Sequence, residues 1–148
     1  VGEAILDELG REGWIIKIDK DLSQVYTSLK LKHKDWSLMF ITLEGASKIP
    51  WSFAHYGIRA PKDLIDRKLI LERLTNKMDT DVVWKNNYWW SHYRRCFSFD
   101  FSHDDGRMKL LNKVERDVLV ENTAKLLIEL GMNLKECLTS IPNLKNNR

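Results

Sequence analysis

The stretch Leu29-Lys30-Leu31-Lys32-His33-Lys34-Asp35-Trp36-Ser37-Leu38-Met39-Phe40-Ile41-Thr42-Leu43-Glu44 decides the fold. Its first residues alternate Leu29 and Leu31 with Lys30 and Lys32, the period of a strand with one face in water. Asp35 then opens a run from Trp36 to Glu44 whose centre is apolar on both faces, as in an interior strand. Upstream, Gly13 leads into Trp14-Ile15-Ile16-Lys17-Ile18, a third strand, followed by the turn-like Asp19-Lys20-Asp21. Downstream, residues 45–50 connect to Trp51-Ser52-Phe53-Ala54-His55-Tyr56-Gly57-Ile58, read as a fourth. Short connections join the three later strands, so an antiparallel meander is the economical arrangement.

Beyond the meander the pattern becomes helical. Pro61 suits a first helical turn, where its missing N–H costs nothing. Leu64, Leu71, Leu74 and Met78 form an apolar stripe, widened by Ile65 and Leu69, and Asp79-Thr80-Asp81 ends it. Arg95 to Phe101 reads as a strand with Phe97, Phe99 and Phe101 on one face. His103-Asp104-Asp105-Gly106 reads as a turn. A long helix is expected over 112–130, with Val120, Ala124, Leu127 and Gly131 as its stripe, Val114, Val118 and Ile128 alongside, and Asn112 and Glu115 resembling a capping box. Gly131 would stop it, and 134–141 would form a short last helix. At the other end, Ala4-Ile5-Leu6-Asp7-Glu8-Leu9-Gly10 reads as the last turns of a helix closed by Gly. The expected fold is α+β: a mainly antiparallel sheet of four to six strands with two or three helices on one face, a single domain over 1–148 with a frayed polar tail at 143–148.

Composition narrows the function classes. The chain has 148 residues, 43% hydrophobic, with only three Pro and seven Gly, which excludes a disordered linker or a collagen-like chain. The net charge is +3, spread as 0 over residues 1–60, +2 over 61–110 and +1 over 111–148, too even for a strong nucleic-acid footprint. The longest apolar runs, such as Leu38-Met39-Phe40-Ile41, fall far short of the ~20 residues that span a bilayer, so no membrane partner is expected. No signal peptide is visible. Cys96 and Cys137 form no CxxC pair and read as reduced thiols of a cytoplasmic protein. A Val at position 1, directly before a helix end, suits a fragment of a longer protein.

The best candidate for a binding surface is the run Trp84-Lys85-Asn86-Asn87-Tyr88-Trp89-Trp90-Ser91-His92-Tyr93-Arg94-Arg95. Trp84, Tyr88, Trp89, Trp90 and Tyr93 could stack on bases, and Arg94 and Arg95 could neutralise phosphates. The plainer reading plugs the core with Trp84 and one of Trp89 or Trp90. Adjacent Trp side chains on a regular strand point to opposite faces, so one of that pair should lie near the surface. A metal site would have to come from His92, Asp100, His103 and Asp105, which match no H-E-x-x-H or Cys/His spacing. Cys96 could pair with His92, but in a Phe-rich strand it reads as a buried hydrophobe. His55 reads as a packed histidine. No P-loop, GxSxG or GxGxxG occurs, and no cofactor is expected. A carboxylate-lysine nuclease core is likewise missing.

Gly13-Trp14-x-Ile16, the Leu29-Lys30 strand, Trp36 leading into Phe40-x-x-Leu43-Glu44, and Phe53-x-x-Tyr56-Gly57-Ile58 together resemble a segment found downstream of the nuclease core in bacterial PD-(D/E)XK superfamily proteins. The later aromatic strand and the final helix occur in the same order. The resemblance implies a non-catalytic accessory domain that touches DNA, RNA or a protein partner, with any nuclease core elsewhere in the parent chain. It carries over no catalytic residue. The alternatives are a metal-dependent nuclease or phosphodiesterase using Asp100, His103 and Asp105, and a structural or oligomerisation domain of undetermined oligomeric state.

Overall fold

A computed structural model describes residues 1–19, 24–36, 38–45, 48, 51–63, 67–78 and 81–139. The turn at 20–21, Leu64 and Ile65, the stop at 79–80, part of the 45–50 connection and the 143–148 tail lie outside these. Helix α1 (Gly2–Leu9) ends at Gly10, whose φ of 75° with ψ of 154° is a conformation open to glycine but outside the αL cap. Five strands follow: β1 (Trp14–Asp19), β2 (Ser28–His33), β3 (Phe40–Glu44), β4 (His55–Arg59) and β5 (Trp90–Arg95). They form one antiparallel sheet in chain order, β1-β2-β3-β4-β5. Helix α2 (Arg67–Thr75) lies between β4 and β5; α3 (Asp104–Met108) and α4 (Lys113–Thr139) follow. The fold is α+β, as the alternation and the helical stripes indicate.

Register explains which side chains are buried. Leu31 faces Ile41, Ile41 faces Ile58, Leu29 faces Leu43 and Leu43 faces Tyr56, so these apolar side chains share one surface of the sheet. They join Leu127 and Leu134 of α4, Ile5 of α1 and Ile70 and Leu74 of α2 in one core. Trp14, Trp36 and His33 close its β1 end, with Trp14 edge-on to both rings at 5.2 and 5.5 Å. Helices α1, α2 and α4 pack on this inner surface.

Several boundaries differ from the sequence reading, each for a physical reason. The strands begin later than Trp36 and Trp51. Trp51 and Phe53 have φ of 56° and 52°, left-handed values no strand adopts, and sit in a turn. Phe97–Phe99 is a 3₁₀ turn rather than a strand: Cys96 N–H bonds Ala54 O, and then Phe99 N–H bonds back to Cys96 O. The three Phe residues consequently split. Phe97 is 72% exposed, Phe99 packs edge-on against Trp51, and Phe101 is buried. His103 precedes α3 instead of a simple turn. In α2 the buried positions are Arg67, Ile70 and Leu74, and Leu69 is exposed.

Asn112 does cap α4, its Oδ1 accepting from Val114 and Glu115 N–H. Gly131, however, does not stop the helix. The 27 residues of α4 run about 40 Å through it. A Cβ at Gly131 would already touch Leu31 and two Trp14 ring atoms at 3.4 Å, so there is room for a methyl but not for a longer side chain. Gly131→Leu should therefore cost ~1–3 kcal/mol by overpacking, despite better helix propensity. A urea midpoint at or above the parent's would contradict this.

Candidate nucleic-acid interface

Strand alternation sends the other half of each strand to the face opposite the helices. The register aligns these side chains in three cross-strand rows. One row reads Ile15, Lys32, Phe40, Arg59 and Trp90 in outline, with Ile15 opposite Lys32, Phe40 opposite Arg59 and Arg59 opposite Trp90. The next reads Lys17, Lys30, Thr42, Gly57 and Tyr93, and the third Asp19, Ser28, Glu44, His55 and Arg95. Thr42 and Gly57, at the centre, are buried beneath their larger neighbours.

Cations and rings on this outer face contact each other. The Lys30 and Lys32 ammonium groups lie 5.8 and 5.5 Å from the Phe40 ring centre. The Arg59 guanidinium sits 5.6 Å over Trp90, which tilts against Tyr93 at 5.9 Å. Arg95 lies 4.6 Å from Phe53 and 5.1 Å from Phe97, two exposed rings at the corner of the face. Lys30 pairs with Asp19, Arg59 with Glu44, and Arg95 with Asp100. Burial pushes the Asp100 carboxyl up, but hydrogen bonds from Ser102, Arg95 and Phe53 outweigh it and hold the group well below the usual carboxylate range. Five cations thus face three carboxylates here, and Lys17 and Lys32 have no ion-pair partner among the described residues.

The aromatic-basic run 84–95 does not form a single surface. Because the register shift at Ser91 resets the alternation of β5, Trp90, Tyr93 and Arg95 join the outer face while His92 and Arg94 turn to the helical side. Trp90 is only 7% exposed, whereas Tyr88 and Trp89, edge-on at 4.7 Å, stand out from the loop before β5. Trp84 lies on the helical side too, edge-on to Tyr56 and His92, with Arg94 5.8 Å over its ring. A pocket of about 310 Å³ there is lined by Leu71, Met78, Trp84, Ser91 and His92. The bulk of the outer-face cations and rings, Lys30, Lys32, Phe40, Phe53 and Arg59, were not among the candidates. The Leu/Lys alternation of 29–32 was the signal for two of them.

Asp100, His103 and Asp105 do not assemble. Among the described residues no three His, Cys, Asp or Glu side chains are grouped to hold a metal. Both cysteines are buried, and neither is in a disulfide. Burial pushes the Cys96 thiol up, away from the thiolate a nucleophile needs. His55, half-buried on the outer face, packs against Tyr93 at 5.8 Å, and burial with Arg95 nearby pulls its pKa down.

His92 gives a pH prediction. Burial, with a smaller push from Arg67, lowers its pKa to about 4. The unfolded ring takes up a proton near pH 6.5, the folded ring only near the lower value, so acid favours unfolding between them. The contribution is fully present above pH 6.5 and falls by up to ~3 kcal/mol as pH drops to 4. Urea unfolding at pH 7 and 4.5 checks it. His33 and His55, also lowered by burial, act in the same direction. The expected signature is therefore a flatter pH profile for His92→Gln, and an unchanged slope would refute it.

Among the described residues no helix is long and apolar enough to cross a membrane. No family model, curated protein or solved structure matches this chain.

Proposed function

We propose that the chain is a non-catalytic binding module that holds single-stranded nucleic acid on the outer face of its sheet. What carries the reading is the interleaving of Lys30, Lys32, Arg59 and Arg95 with Phe40, Phe53, Tyr93 and Phe97 on the surface the helices leave uncovered. A base that stacks on Phe40 displaces the two lysine ammonium groups from the ring, and they then meet the adjacent phosphates. Two net positive charges are few, so affinity depends on stacking. The salt dependence should be shallow, with a log–log slope near about −1.4. The resemblance of residues 13–58 to segments downstream of PD-(D/E)XK cores suggests an accessory role beside a bacterial nuclease, with cleavage done elsewhere in the parent protein.

Fluorescence anisotropy with a labelled single-stranded oligonucleotide at low and moderate salt tests this. Phe40→Ala should weaken binding by ~1–3 kcal/mol, and Lys32→Ala should lower the salt slope. Absence of saturable binding at low salt, or unchanged affinity in the folded Phe40→Ala protein, would sink the proposal.

Self-association is a second reading with its own observation. Met108, Leu111, Val114 and Val118 stand exposed at and before the first turns of α4, ahead of Leu119, its first buried residue. Light scattering of the purified chain, with and without Val114→Lys, distinguishes a dimer through this patch from a monomer.

A further inference from the structure

The core is closed around Trp14 and Trp36 but open at the opposite end of the sheet. There a pocket of about 320 Å³ lies between the sheet and α4. Its floor is Leu29, Leu43 and Leu119, all buried, and its walls are Trp51, Phe99 and Val120. These side chains come from β2, β3, the turn after β3, the 3₁₀ turn and α4, and Val1, Gly2, Ile18 and Leu110 complete the rim. Trp51 and Phe99 are held edge-on at 5.1 Å, and Phe99 is held in turn by Phe101 at 5.0 Å.

The lining is almost wholly apolar, and its one charged side chain among the described residues is Arg116. That exposed guanidinium donates through Nη1 to Leu110 O at 3.3 Å, and among the described residues no carboxylate pairs with it. The space holds roughly ten methylene-sized groups. A ligand with polar groups along its body would strand them without partners, whereas an aliphatic chain has none.

We propose that this pocket binds a straight-chain monocarboxylate of medium length, its alkyl chain against Leu29, Leu43 and Leu119 and its carboxylate on Arg116. The site is separate from the outer face of the sheet, so its failure and that of the nucleic-acid reading are independent.

Decanoate and decanol are the probes, titrated below the micelle concentration and followed by calorimetry. Decanoate should bind saturably with a stoichiometry of one. Arg116→Gln should weaken decanoate about fivefold or more while leaving decanol unchanged. Val120→Phe should fill the pocket and weaken both probes by at least tenfold; Leu110→Phe at the rim replaces it if that variant fails to fold. Lack of saturable decanoate binding would overturn the proposal. So would equal loss of decanoate and decanol in Arg116→Gln, or undiminished binding in a folded pocket-filled variant.

Discussion

Gly57→Ala should be among the most damaging single-atom additions in this domain, costing ~3 kcal/mol or more or leaving the chain insoluble. A Cβ at Gly57 would lie 2.0 Å from His92 O and 2.7 Å from Tyr93 Cα. Ordinary carbon–oxygen contact begins near ~3.3 Å. Both neighbours are backbone, so no rotamer relieves the clash, and β4 and β5 must separate. The close approach follows from the register. Ile58 faces His92 but Arg59 faces Trp90, so Ser91 is an extra residue that bulges β5 toward its partner. Since Tyr93 lies opposite Gly57, the same substitution should disturb the outer face as well as stability. A stability within about 1 kcal/mol of the parent (the typical effect of an ordinary substitution) would contradict this close approach of β5 to β4.

Arg67→Ala should cost ~2–4 kcal/mol for a different reason. Arg67 is 6% exposed, and no carboxylate pairs with it among the described residues. Its guanidinium donates to three main-chain carbonyls, Asn87 at 2.6 Å, Tyr88 at 2.8 Å and Trp90 at 2.9 Å. One side chain of α2 thereby fixes the loop that presents Tyr88 and Trp89. Truncation leaves those acceptors without their charge-assisted donors. Arg67→Lys should recover little, because a single ammonium cannot span the same fork. Hydrogen exchange should report faster protection loss at Asn87 and Trp90 than in α4. Removing the charge should also let the His92 pKa rise, since Arg67 helps to lower it. Wild-type exchange in Arg67→Ala would contradict the latch.

Which features were legible in the sequence follows from how each residue is used. Strict alternation, as at 29–32, reports one buried face directly, so the meander and the α+β class could be read. The same period misled at Phe97, Phe99 and Phe101, where each ring meets a different neighbour and the backbone turns. Gly131 was read as a stop because glycine usually ends a helix, but α4 runs on through it beside Trp14. Arg67 drew no reading from the sequence, since nothing local marks the three carbonyls 20 to 23 residues away. The aromatic-basic run was legible as composition. Its division between two faces depended on β5 spanning Trp90–Arg95, which the sequence left unassigned. The metal trio failed because Asp100 is already engaged by Arg95.

The first four strands pair with their neighbours along the chain across short connections, so they can pair as they are made, whereas β5 joins β4 across α2. Its apolar surface, however, is covered mainly by α4, the last helix described. On the ribosome the paired strands would therefore wait, with Leu31, Ile41 and Ile58 uncovered, until residues near Leu127 and Leu134 emerge from the exit tunnel. That interval is when this chain is most exposed to sticking to its own copies or being held by a chaperone.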